Sequence, residues 1–146
     1  MSSKVPYGTT VEVRDTCLCL HVQRAARTLA RRFDQALQPL GLTNGQFSLL
    51  MSLNRPHPPA IAPVARLLGM NRTTLTAALK PLERDGLVVI EVDPQDRRSR
   101  LLRLTDAGHA VLAQAVPIWR RTHAEVQSVL GGGGADTLRS ALLALV

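Results

Sequence analysis

Arg72, Thr73, Thr74, Thr76, Lys80 and Arg84 follow Asn71 at short spacing, and no carboxylate interrupts them before Glu83. Cations and hydroxyls without acids are the chemistry of a surface that meets phosphates. An arginine there can pair bidentately with guanine. A threonine offers a hydroxyl to a base or phosphate and a methyl to thymine. Asn71 is of the type that caps a helix by accepting a backbone N–H two or three residues on. A helix start exposed in this way favours an anion through its free amides and dipole. A second cationic group lies in Asp93-Pro94-Gln95-Asp96-Arg97-Arg98-Ser99-Arg100, where Arg97 and Arg98 sit on a turn shaped by the acids and the proline. Asp96 is expected to hold one of these arginines by an ion pair.

The intervening residues form the elements that would position these groups. Leu75, Ala78, Leu79 and Leu82 recur at helical spacing and give the segment after Asn71 a buried stripe. Ala65–Met70 predicts a short preceding helix closing on Gly69, and Pro63 fits that helix's first turn. Leu87–Val92 and Leu101–Leu104 read as two strands flanking the arginine-rich turn. From Ala60 to Gly108 the pattern is that of a winged helix-turn-helix, with one helix for the major groove and a loop for the neighbouring groove or backbone. The expected fold is mainly α with a small β wing. Pro81 removes a donor and invites a bend late in the reading helix, beyond its N-terminal surface.

These motifs resemble those of the MarR-type (multiple antibiotic resistance regulator) transcriptional regulators. The resemblance rests on Leu68-Gly69, Arg72-Thr73-Thr74-Leu75-Thr76, Leu82-Glu83-Arg84-Asp85-Gly86-Leu87, Asp93-Pro94-Gln95-Asp96-Arg97-Arg98 and Leu104-Thr105-Asp106-Ala107-Gly108, all in order. It covers nearly the whole chain. It implies a homodimer whose two reading helices meet a pseudo-palindromic operator. Ala77 departs from the pattern, since many members carry a basic residue there.

Composition agrees with such a partner. Eighteen Lys and Arg against eleven Asp and Glu leave +7 over 146 residues, which suits a polyanion. Aromatics make up only 3%, so the stacking platforms of single-strand and RNA readers are absent. No apolar run approaches the roughly 18–20 residues that span a bilayer. The N-terminus has no signal-peptide core, and a cytoplasmic protein is expected.

The flanks read as an assembly device. One helix is expected from about Thr16 to Leu40, with Leu18, Val22, Ala25, Leu29, Phe33 and Leu37 in its apolar stripe. Thr43 should cap the next, with Phe47, Leu50 and Met51 inward. Thr105 should cap a long helix to Leu130, and the glycines 131–134 should break it before a last short helix. The expected division is an ordering-poor arm at 1–14, dimerisation helices at 15–42 and 105–146, and the winged helix-turn-helix at 43–104. The outer helices carry more apolar residues than the winged unit can cover, which points to a two-fold dimer. The resemblance further implies a small-molecule effector, for which Phe33, Phe47 and Trp119 are candidate cleft residues, although plain core packing explains them equally well.

Cys17 and Cys19 are the only cysteines. They read as small buried hydrophobes or as a redox pair. In the peroxide-sensing branch of the family a reactive cysteine lies on the first helix, and that position falls on Cys19. Gln23 and Phe33 stand where that branch has tyrosines, so its hydrogen-bonding pocket is not reproduced. A Cys17–Cys19 bridge is disfavoured within a regular helix because i and i+2 side chains diverge. Only Cys17 and His21 would share a helical face, which falls short of a tetrahedral metal set. No nucleophile–base–orienter cluster or phosphate-cradling loop is present, so neither enzymatic activity nor a cofactor is expected. The sequence thus predicts a sequence-specific double-stranded-DNA-binding regulator, a homodimeric repressor released by a small molecule or by thiol oxidation. The alternative is a non-sequence-specific DNA architectural protein.

Overall fold

Three side-chain caps fix where the central helices begin. In the computed structural model, which describes residues 3–146, the Thr43 hydroxyl accepts the Gln46 N–H at 3.2 Å. The Gln46 side chain in turn accepts the Thr43 N–H at 3.1 Å. This reciprocal capping box starts one helix. Asn71 Oδ1 accepts the Thr74 N–H at 2.8 Å, and Thr105 Oγ1 accepts the Gly108 N–H at 3.0 Å. The helices are α1 (Tyr7–Thr16), α2 (Leu18–Leu37), α3 (Asn44–Ser52), α4 (Ile61–Leu68), α5 (Arg72–Arg84), α6 (Asp106–Leu130) and α7 (Gly134–Leu143). A 3-10 turn over Gln38–Leu40 closes α2. Strands β1 (Val88–Asp93) and β2 (Asp96–Leu104) pair antiparallel between α5 and α6.

The core gathers around α5. Leu75, Leu79 and Leu82 of α5 are fully buried against Leu49 and Leu50 of α3, Val64 of α4, and Val88 and Leu102 of the wing strands. Gly69 ends α4 in the left-handed region at φ 65°, where a glycine carries no Cβ penalty. Two residues on, Asn71 starts α5, so the turn between the helices is short. The segment before α4 joins the wing: the Leu102 N–H donates to the Pro59 carbonyl at 2.9 Å.

The wing and α6 are locked by one close approach. The Thr105 hydroxyl donates to the Gly86 carbonyl at 2.6 Å while its N–H donates to the Leu87 carbonyl at 3.1 Å. A Cβ at Gly108 would lie 2.2 Å from that same Leu87 oxygen. The spacing of Gly86-Leu87 and Thr105-x-x-Gly108 therefore has a physical basis: threonine ties two segments together, and only glycine permits the approach.

The outer helices differ from expectation in three ways. The segment expected to be a loosely ordered arm forms α1 from Tyr7 onward, with extended Pro6 just before its first turn; residues 1 and 2 lie outside the described residues. The helix expected from about Thr16 starts at Leu18, set off from α1 by Cys17, whose φ −66° and ψ 112° are extended. None of α1 is buried, so no inward stripe announces it in the sequence. Within α3, Leu49 is buried and Met51 is 36% exposed, opposite to the inward placement expected of Met51. Elements already begun run longer than expected: α4 starts at Ile61, and β2 starts at Asp96 within the arginine-rich segment.

Candidate nucleic-acid interface

At about 100° per residue, Arg72, Thr73, Thr76, Lys80 and Arg84 fall within about a third of the circumference of α5. All five are exposed, as are Asn71 and Thr74. Leu75, Leu79 and Leu82 have no exposure, so the core fixes which way the rest of the helix looks. Thr74 lies off this arc by about 80°, and its N–H is committed to the Asn71 cap. The Thr74 side chain is exposed beside the arc at the helix start. Glu83, by the same geometry, lies within the arc.

The cations differ in how free they are. Among the described residues, Arg72 and Lys80 have no side-chain hydrogen bond or ion pair, whereas Arg84 Nε lies 3.4 Å from Asp85 Oδ1. Pro81 does not break the helix. It costs the donor that the Ala77 carbonyl would otherwise meet, and Ala77 is solvent-exposed, where water can take that place.

The wing is built differently from the sequence expectation. Asp96 forms no ion pair with either arginine. Its Oδ1 accepts the Arg98 backbone N–H at 3.0 Å, as Asp93 Oδ1 accepts the Gln95 N–H at 2.9 Å. Both carboxylates are local turn builders, acting on backbone two residues ahead as aspartates do in turns. Arg97 and Arg98 are exposed, and among the described residues neither guanidinium has a partner. The register places Val92 opposite Arg100 and Asp93 opposite Asp96, so residues 97–99 bulge from the ladder. Arg100, which sequence reasoning missed, donates from Nη1 to the carbonyls of Arg97 at 3.0 Å and Ser99 at 3.3 Å. At the wing's base Arg103 pairs across the strands with Glu91. The Arg103 hydrogen bond holds the Glu91 carboxyl below its usual range, and the same contact raises the Arg103 guanidinium.

Away from this surface, the proposed effector aromatics separate. Phe47 is 7% exposed and stacks on Trp119 at 6.2 Å between ring centroids, and Trp119 stacks on His123 at 4.7 Å. Phe47 and Trp119 thus pack in or against the core, while Phe33 is half-buried elsewhere on α2. An open cavity of about 550 Å³ lies instead between α2, the end of α6 and α7. Leu29, Val126, Val129 and Leu138 form its apolar wall, with Arg24 and Arg32 also lining it. Its residues carry a stripe on α2 that was legible, but not the wall that α6 and α7 supply.

The cysteines sit at the helix break. Cys17 is half-buried in the extended residue between α1 and α2, and Cys19 is exposed one residue into α2. Gln23 Nε2 donates to Cys19 Sγ at 3.2 Å, so the residue expected to leave the sulfur without a partner supplies one. His21 Nδ1 lies 2.8 Å from the Cys17 carbonyl oxygen and is engaged with backbone. Among the described residues no group of three His, Cys, Asp or Glu side chains could hold a metal, and no helix is long and apolar enough to cross a membrane.

A tie between the two halves completes the site's surroundings. Asp34 of α2 accepts from the Asn44 N–H at 2.7 Å and from Asn44 Nδ2 at 2.8 Å, at the first turn of α3. The Asn44 backbone N–H, then its side chain, hold the Asp34 carboxyl below its ordinary value.

Residues 40–99 match the model of the MarR family. Over 113 residues the chain is 34% identical to the transcriptional activatory protein BadR of Rhodopseudomonas palustris, a match covering 75% of this chain and 65% of that relative's length. Among solved structures, the transcriptional regulator MosR of M. tuberculosis in complex with DNA shares 38% identity, with a TM-score of 0.81. That match covers 89% of this chain and 93% of MosR. The transcriptional repressor CouR bound to a 23-mer DNA duplex shares 33% identity at a TM-score of 0.81, covering 98% of this chain and 99% of CouR. CouR bound to p-coumaroyl-CoA matches at 30% identity and a TM-score of 0.80, covering 92% of this chain and 94% of CouR.

Proposed function

The chain belongs to the MarR family of transcriptional regulators, and from that premise we propose that it is a homodimeric, sequence-specific reader of double-stranded DNA that acts as a repressor. The observation that carries this reading is the exposed polar arc of α5 beside two unpaired wing arginines, Arg97 and Arg98. A protein that used charge alone would need neither a capped helix nor an oriented threonine face. That MosR and CouR, similar to this chain over most of its length, were solved with DNA supports DNA as the partner. In this reading residues 43–104 bind the operator, and 15–42 with 105–146 assemble the dimer, placing two α5 helices on a pseudo-palindrome. Repression is the sign we adopt from CouR, described as a repressor; BadR, described as activatory, makes the sign a point for a reporter assay. The role is regulatory rather than enzymatic, in the cytoplasm where its DNA lies.

Thiol oxidation is the releasing signal we infer. Cys17 stands outside regular helix, so the divergence of i and i+2 side chains on a helix does not hold it away from Cys19. A hydroperoxide would oxidise the exposed Cys19 thiolate to a sulfenic acid, losing an alcohol. Attack by the Cys17 thiolate on that sulfur would then form the disulfide and release water. A bond across the α1–α2 junction would change how the outer helices meet their partner, and so the spacing of the reading helices. The second reading is a small amphipathic effector, supported by the open cavity along α2 and by the acyl-CoA complex of CouR.

Binding of the purified protein to DNA upstream of its own and neighbouring genes, reduced and after hydroperoxide, tests both levels. A specific reader prefers one site over bulk DNA by about 10³-fold or more, and a flat preference would establish the architectural alternative. Oxidised wild type should release that site while Cys19→Ser stays bound. Wild type that holds its site with both thiols oxidised would leave the small-molecule reading standing.

A further inference from the structure

The bulge at residues 97–99 carries the two wing arginines, and its backbone has left the strand ladder. An exposed backbone that leaves a ladder can turn to water, and bonds from neighbouring side chains hold it in one conformation instead. Here the two residues that bracket the bulge supply them. From one side Asp96 Oδ1 accepts the Arg98 N–H at 3.0 Å. From the other, Arg100 Nη1 donates to the carbonyls of Arg97 at 3.0 Å and Ser99 at 3.3 Å. Arg97 and Arg98 themselves spend no side-chain donor inside the protein. Of the three arginines, one is therefore engaged with backbone and two are free.

We propose that Arg100 is a positioning residue of the wing: with Asp96 it braces the bulge so that Arg97 and Arg98 are delivered to DNA, and it makes no DNA contact of its own. This rests on the reading of the wing as a DNA contact. Both bonds leave one nitrogen, Nη1, whose two N–H donors are fixed in the guanidinium plane, whereas a lysine ammonium rotates on a shorter, flexible stem and holds no such orientation. Ordering the bulge before binding also removes part of the cost of fixing two long side chains on the duplex.

The test compares Arg100→Lys, Arg100→Ala, Asp96→Ala, the double variant Arg97→Ala/Arg98→Ala, and that double variant combined with Arg100→Ala. Each is measured for affinity to the preferred site across a salt series, with thermal melting alongside. If Arg100 is a brace, Lys and Ala at this position weaken binding alike, by about threefold to tenfold for the lost hydrogen bonds. Asp96→Ala weakens binding in the same way although it removes a negative charge, which simple electrostatics would make tighter. In the double variant, adding Arg100→Ala changes neither affinity nor salt slope. If Arg100 instead touches a phosphate, Lys binds as wild type and the triple variant loses a further slope of about 0.9 per contact per subunit; either result overturns the proposal. If the double variant itself keeps the wild-type salt slope, the wing does not reach DNA. That outcome defeats both the wing reading and the brace, and it is recognised before Arg100 is considered.

Discussion

Helix α5 and the terminal helices α1 and α7 treat the same amino acids in opposite ways. In α5, every leucine is fully buried and the exposed positions are cationic, hydroxylic, amide-bearing or small, apart from Glu83. In α1 and α7 nothing is buried, and leucines and valines face outward, with Leu143 70% exposed and, at the end of α6, Val129 76%. The first pattern is complete within one chain and leaves only a polar surface for a ligand. The second is half of a core. An apolar area spread over α1, α2, the end of α6 and α7 is what a second copy of the chain would cover. In the proposed reading one half meets DNA and the other is finished by assembly.

Two substitutions break the comparison most sharply. Gly108→Ala, where the start of α6 closes on the α5–β1 turn, drives a Cβ against the Leu87 carbonyl and should lower thermal or denaturant stability by about 1–3 kcal/mol at any protein concentration. Leu138→Asp, on α7, leaves the α5 core untouched and should instead split the dimer. Sedimentation would then report monomer, and the melting temperature would lose its dependence on concentration. A monomeric Gly108→Ala of normal stability together with an intact Leu138→Asp dimer would reverse the assignment of the two halves.

A smaller effect concerns the tie between the halves. Asp34 has a folded pKa lowered by the Asn44 N–H, so its contribution is present above the unfolded carboxylate value of about 3.9 and is lost as pH falls through the folded value. Asp34→Ala should be less stable than wild type at neutral pH, and the gap should close on acidification below about pH 4. Chemical denaturation across pH checks this. A gap that is constant with pH would mean that the carboxylate charge is not what joins α2 to α3.

What was legible in the sequence divides along the same line. Asn71, Thr43 and Thr105 could be named as caps because capping is a local bond between a side chain and backbone a few residues away. The buried stripe of α5 and the existence of the wing were legible for a similar reason, since period and turn chemistry are local. In the outer half the helices α2, α6 and α7 were legible but what covers their apolar faces was not. Periodicity in α2 marks an apolar face but does not say that α6, α7 and another copy supply the opposing wall, so the aromatics were given a cleft that Phe47 and Trp119 do not line. The break at Cys17 has no glycine or proline to announce it. The brace by Arg100 was hidden because it depends on a register shift, and the expected Asp96 ion pair proved to be a bond to backbone.

The central claim, that the polar arc of α5 reads base sequence, is tested most directly by one competition measurement. Wild type and Arg72→Ala are each titrated onto the preferred site in the presence of bulk DNA at fixed salt, so that specific and non-specific affinities come from the same curve. Loss of a bidentate base contact should weaken specific binding by about 1–3 kcal/mol and broaden base preference at one position of each half-site, while bulk binding changes far less. An Arg72→Ala protein that keeps the wild-type ratio of specific to bulk affinity, with unchanged preference at every position, would contradict the account.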